Sequence, residues 1–77
     1  MNSWKFDRLR DGIHVNEGKA GEYLVQVYLN LKGQFIALRW ISGRYIETIC
    51  YESDCLLDNV IEAESQFLLA GVIGAAA

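Results

Sequence analysis

The stretch that decides the fold runs from Tyr23 to Tyr51, YLVQVYLNLKGQFIALRWISGRYIETICY. Two short breaks, Asn30 to Gly33 and Ser42-Gly43, divide it into the runs Tyr23–Leu29, Gln34–Ile41 and Arg44–Tyr51. Each run is rich in Val, Ile, Tyr, Phe and Trp, whose branched or aromatic side chains pack well on a pleated surface. A helix is the competing reading of the first run. Leu24, Val27, Tyr28 and Leu31 sit at helical spacing and Gly33 is placed to end a helix. The β-branched and aromatic content favours strands.

The register follows from the turns. With Ser42-Gly43 as a two-residue hairpin turn, Ile41 pairs with Arg44 and Trp40 with Tyr45. Continued outward, Leu38 meets Glu47 and Ile36 meets Ile49. A loop of Asn30 to Gly33 pairs Leu29 with Gln34, Val27 with Ile36, Val25 with Leu38 and Tyr23 with Trp40. Both turns then put one set of side chains on a single face: Tyr23, Val25, Val27, Leu29, Ile36, Leu38, Trp40, Tyr45, Ile49 and Tyr51. Side chains alternate along a strand, so a slip of one residue would move a strand's whole set to the other face.

Beyond Tyr51, Ser53 or Asp54 is suited to cap a helix. Leu57, Val60, Ile61, Phe67 and Leu68 recur at close to helical period, and Gly71 is a plausible stop. Before Tyr23 the pattern is weaker. Gly18 to Gly21 reads as a break. Asp11-Gly12 is a good hairpin turn that would join Lys5–Arg10 to Ile13–Glu17, with a helical turn after Ser3 as the alternative. The expected fold is a single α+β domain over 1–77: a small antiparallel sheet of three central strands, with or without an N-terminal hairpin, packed against one C-terminal helix. Ala75, Ala76 and Ala77, read as a tail or a cloning remnant, carry no functional weight.

Composition sets the frame for function. The chain has 77 residues, 52% of them hydrophobic, and no proline. That apolar fraction argues against disorder. A chain this short hides only about 60% of its unfolded surface, so a partner is a natural source of extra stability. Cys50 and Cys55 are too few for a secreted disulfide scaffold. Trp4, Lys5, Phe6, Asp7 and Arg8 interrupt any signal-like apolar run. The longest apolar stretch, Phe67 to Ala77, is about half of the roughly 20 residues a membrane span needs. These features point to the cytoplasm and away from membranes.

Charge is divided along the chain. All seven Lys and Arg lie between Lys5 and Arg44, against Asp7, Asp11, Glu17 and Glu22, a net of +3. From Tyr45 onward come Glu47, Glu52, Asp54, Asp58, Glu62 and Glu64 with no cation, a net of −6. Spaced i, i+4, i+8 on a helix, Asp54, Asp58 and Glu62 would stack into one acidic stripe. The bland reading is a solvated face, favoured near the helix N-terminus; the functional one is a surface that docks on a basic partner. Glu47 falls in the apolar register, where an inward charge discourages edge pairing or awaits a cation. Lys5, Arg8 and Arg10 form too small a cluster for direct nucleic-acid binding.

The second sheet face is expected to carry Leu24, Gln26, Tyr28, Phe35, Ala37, Arg39, Ile41, Arg44, Ile46, Thr48 and Cys50. It is too apolar to be wholly solvated. Either the N-terminal segment with Trp4, Phe6, Leu9, Ile13 and Val15 covers it, or another molecule does, with Tyr28, Phe35, Arg39 and Ile41 supplying interface chemistry. No catalytic, cofactor or metal site is expected. His14 is the single histidine. Nothing places it beside Cys50 or Cys55 as a nucleophile–base pair, the cysteine spacing is not that of a closed zinc site, and no phosphate-loop pattern occurs. The expected function is non-catalytic binding of a protein with a basic surface; self-association, as a homodimer through the second sheet face, is the alternative. In size, acidity and strands-plus-helix plan the chain resembles small inhibitors of phages and mobile elements, including anti-CRISPR proteins. That resemblance implies docking on a nucleic-acid-handling complex and assigns no residues.

Overall fold

A computed structural model describes residues 6–7 and 12–76, with side chains for 12–74. The chain forms β1 (Phe6–Asp7), β2 (Gly12–Ala20), β3 (Tyr23–Asn30), β4 (Phe35–Ile41), β5 (Arg44–Cys50) and α1 (Leu57–Ala76). The strands make one antiparallel meander in the order β1-β2-β3-β4-β5. Helix α1 lies across β2, β3 and β4. This is the α+β plan read from the sequence, and the pairing of β1 with β2 matches the expected N-terminal hairpin. The connection over residues 8–11, which includes Asp11 of the expected turn, lies outside the described residues, as do Trp4 and Leu9.

Strand β2 is longer than expected. Gly18 is no break: it pairs with Val25 in mid-strand, and the chain turns only at Gly21-Glu22, where Gly21 has φ 60°. The reason is packing. A Cβ on Gly18 would lie 2.8 Å from Leu68 Cδ1, so the missing side chain lets α1 come close. A strand glycine often marks such an approach.

The Ser42-Gly43 turn forms as expected, with φ of 52° and 79°, and pairs Ile41 with Arg44 and Trp40 with Tyr45. Further out a bulge shifts the register, so Glu47 faces Arg39, not Leu38. The other turn also differs by one residue: Leu29 faces Phe35, not Gln34. The cause is Asn30, whose Oδ1 accepts from the backbone N–H of Lys32 (3.0 Å) and of Gln34 (2.8 Å) and draws Gln34 into the loop. The two shifts cancel. β3 and the outer part of β5 keep their expected faces, while β4 is inverted. Phe35, Ala37, Arg39 and Ile41 turn toward the helix; Ile36, Leu38 and Trp40, with Tyr45, turn away.

Under the helix the buried cluster is Val25, Val27, Ala37 and Val60, flanked by Val15, Phe35, Ile49, Tyr51, Leu57, Phe67 and Leu68. Val15 belongs to this core, not to a cover for the second face. Helix α1 begins later and ends later than its sequence signals. Ser53-Asp54 form a turn closed by the Cys55 N–H on the Glu52 carbonyl (3.0 Å), so neither caps the helix. Gly71 does not stop it: that glycine is buried where a Cβ would meet Tyr23 Cγ at 2.5 Å and the Ala20 carbonyl at 2.7 Å.

Gly71 and Gly74 therefore predict opposite responses in one helix. Gly71→Ala would destabilise by about 1–3 kcal/mol through overpacking. Gly74, with nothing within 4 Å of a Cβ, would gain up to about 1 kcal/mol as alanine from helix propensity. Urea unfolding of the two variants checks the sign of each.

Candidate functional site

The sequence offers Asp54, Asp58 and Glu62 as one surface and Tyr28, Phe35, Arg39 and Ile41 as another. The structure brings neither set together. Asp54 sits in the turn before α1, so the acidic stripe on the helix is Asp58 and Glu62. Phe35, Arg39 and Ile41 lie on the helix side of the sheet, because β4 is inverted. Tyr28 alone stays on the second face, buried and tilted against His14 with ring centroids 5.2 Å apart.

Arg39 leads to a group the sequence reading passed over. Its guanidinium rises from the middle of β4 into the space under α1, where an unpaired cation would be costly. Glu64, 2% exposed, meets it through a two-pronged contact: Nε donates to Oε1 at 2.7 Å and Nη2 to Oε2 at 2.9 Å. Nη1 donates to Glu47 Oε2 at 3.1 Å. The Tyr51 hydroxyl donates to Glu64 Oε2, and the Arg39 Cζ lies 4.9 Å from the centroid of the Phe67 ring. Glu47, expected either to discourage edge pairing or to await a cation, pairs with Arg39 of the neighbouring strand, which the bulge sets opposite it. Glu64 was legible only as a carboxylate off the acidic line; its line on the helix is the buried one.

The pairing holds the Arg39 pKa above its ordinary value, chiefly through the hydrogen bond to Glu64, with burial opposing. Burial first, and then the hydrogen bond to Glu64, push the Tyr51 phenol from 10.0 up to about 12. Arg39 neutralises the buried Glu64, with Glu47 as a second, more exposed carboxylate partner, and the four groups tie β4, β5 and the segment after it to α1. Their chemistry is that of an internal clamp.

The outer face of α1 has the opposite character. Asp58, Glu62, Ser65, Gln66, Leu69, Val72 and Ile73 share the side away from Val60, Glu64, Phe67 and Gly71. Leu69 is 51%, Val72 50% and Ile73 63% exposed. One helix face thus runs from acidic to apolar along its length. The second sheet face offers less open apolar surface: Tyr28 and Leu38 are buried and Trp40 half-buried, while its margins are exposed, with Tyr45 and Ile46 on β5 and the charged Glu17 and Lys19 on β2. Strand β5 ends the sheet, and its bulge and Glu47 are features that blunt an edge against further pairing.

His14 on β2 and Cys50 on β5 are separated by β3 and β4, about 14 Å at the usual strand spacing. Cys50 and Cys55 are free thiols. Among the described residues no three of His, Cys, Asp and Glu converge as metal ligands, and no helix is long and apolar enough to cross a membrane. Comparison with family models, with curated proteins and with solved structures gives no match.

Two predictions test the clamp. Arg39→Met should destabilise by about 2–4 kcal/mol, since it strands the buried Glu64 carboxylate; Glu64→Leu should cost less, because Arg39 is partly exposed and keeps Glu47; and the double variant should recover much of the Arg39→Met loss because an apolar pair needs no desolvation. Urea unfolding of all four proteins measures this coupling. Tyr51 contributes stability in its protonated form, and its pKa is raised on folding. The stability advantage of the wild type over Tyr51→Phe should therefore be constant below pH 10 and fall away as pH climbs toward 12. Urea midpoints of the two proteins across that range give the comparison.

Proposed function

We propose that this protein is a non-catalytic binding module whose docking surface is the outer face of α1, fitted to a partner protein that presents apolar side chains beside basic ones. The observation that carries this is the graded stripe, with Asp58 and Glu62 at one end and the exposed Leu69, Val72 and Ile73 at the other. Exposed apolar side chains grouped on one face mark interaction sites. An adjacent acidic patch raises the rate of encounter with a basic surface and rejects acidic ones. A basic surface of a nucleic-acid-handling complex has this complementary chemistry, and a small acidic domain bound there would act as an inhibitor by occupying it. A reducing cytoplasm suits the free Cys50 and Cys55.

Self-association through the second sheet face has less to rest on. Tyr28 and Leu38, its centre, are already buried in the single chain.

The test is capture from host lysate with the wild type, with Val72→Ser/Ile73→Ser and with Asp58→Lys/Glu62→Lys. All of these positions are solvent-facing, so circular dichroism should be unchanged. The reading expects one basic partner, held by the wild type, released by salt, and reduced at least about tenfold with either double variant, equivalent to about 1.4 kcal/mol. A partner retained equally by all three proteins would move the interface elsewhere.

A further inference from the structure

We propose a second interaction surface, distinct from the outer face of α1: a cleft at one end of the β3–β4 hairpin that receives the tip of the same hairpin from another copy of this chain. The cleft, about 290 Å³, lies between the C-terminal half of α1 and the sheet, lined by Glu22, Tyr23, Ile41, Ser42, Gly71 and Gly74. Its size is just under the roughly 300–1,000 Å³ of small-molecule sites and suits one or two side chains. At its helix side Gly71 packs closely on Tyr23 while Gly74 leaves the space beyond it open, and its carboxylate, Glu22, is exposed.

At the far end of the hairpin stands a matching group. Leu31 is 78% exposed, the most exposed of the large hydrophobic residues among those described, and Lys32 follows it. The loop that holds them is closed by hydrogen bonds. The Asn30 N–H donates to the Gln34 carbonyl (2.9 Å), the Gly33 N–H to the Asn30 carbonyl (3.1 Å), and Asn30 Oδ1 takes the N–H groups of Lys32 and Gln34. Gly33 supplies the positive φ of 80°. A tip fixed in this way holds an apolar side chain in water and loses little freedom on docking, which is how preorganised loops gain affinity. Leu31 in the cleft sets Lys32 beside Glu22 of the receiving copy, a cation meeting a carboxylate.

Tip and cleft lie at opposite ends of β3, an eight-residue strand, roughly 25 Å apart. We take the contact as head-to-tail, each copy offering a free tip and a free cleft, so that association proceeds past a dimer to a ring or an open chain.

Sedimentation velocity from micromolar to millimolar concentration at low salt tests this. The average mass of the wild type should climb past that of a dimer and fall when salt is added. Leu31→Ser and Lys32→Glu should each lower the association constant at least about tenfold, equivalent to about 1.4 kcal/mol. Glu22→Lys combined with Lys32→Glu should restore it. Gly74→Leu, which enters open space and favours the helix, should fill the cleft and abolish association with an undiminished melting temperature. Val72→Ser/Ile73→Ser should leave association unchanged, which separates this surface from the one proposed above. A monomer at every concentration, a plateau at dimer, or association that survives both Leu31→Ser and Gly74→Leu overturns the proposal.

Discussion

Arg39 stands in the middle of β4 with its charge directed under the helix, and the sheet–helix packing is arranged around its partner. The guanidinium takes both oxygens of Glu64, so the helix is fixed not only in place but in rotation. That matters because the C-terminal half of α1 is apolar on nearly every side. Leu68 and Phe67 could exchange roles with Leu69, Val72 and Ile73 at modest cost in buried area. A carboxylate that must face the sheet removes the choice. Gly71 adds a second constraint, since only a glycine lets the helix sit against Tyr23 and Ala20.

The exposed face of the helix is a consequence of that buried pair. With Glu64 turned inward, Asp58 and Glu62 look outward, and so do Leu69, Val72 and Ile73. A sequence free to optimise burial alone would place these three side chains inside. The hydrophobic cluster under the helix is small, built from Val25, Val27, Ala37 and Val60 with half-buried neighbours. Contacts with other molecules would add to a core of this size, as is common for chains too short to bury much surface alone.

Much of the plan was legible in the chain. The strand runs, the Ser42-Gly43 turn and the closing helix could be read from β-branched content, turn chemistry and period. Face assignment was harder. Alternation makes every assignment depend on the loop count, and Asn30 pulled one more residue into its loop than the glycine signal implied. A bulge near Trp40 then restored the register in β5. Both events are local hydrogen-bond choices of the backbone, with little trace in hydrophobic pattern. They moved Phe35, Arg39 and Ile41 to the helix side and made Glu47 the neighbour of Arg39.

The sequence by itself determined the element types, the antiparallel meander and the division of charge, because each depends on neighbours a few residues apart. Tertiary structure decided which side of β4 is buried, that Gly18 and Gly71 are contact points rather than stops, and that Glu64 is an internal anchor while Glu62 is surface. Those outcomes depend on atoms brought together across the sheet–helix interface, where a shift of one residue or one ångström exchanges inside for outside.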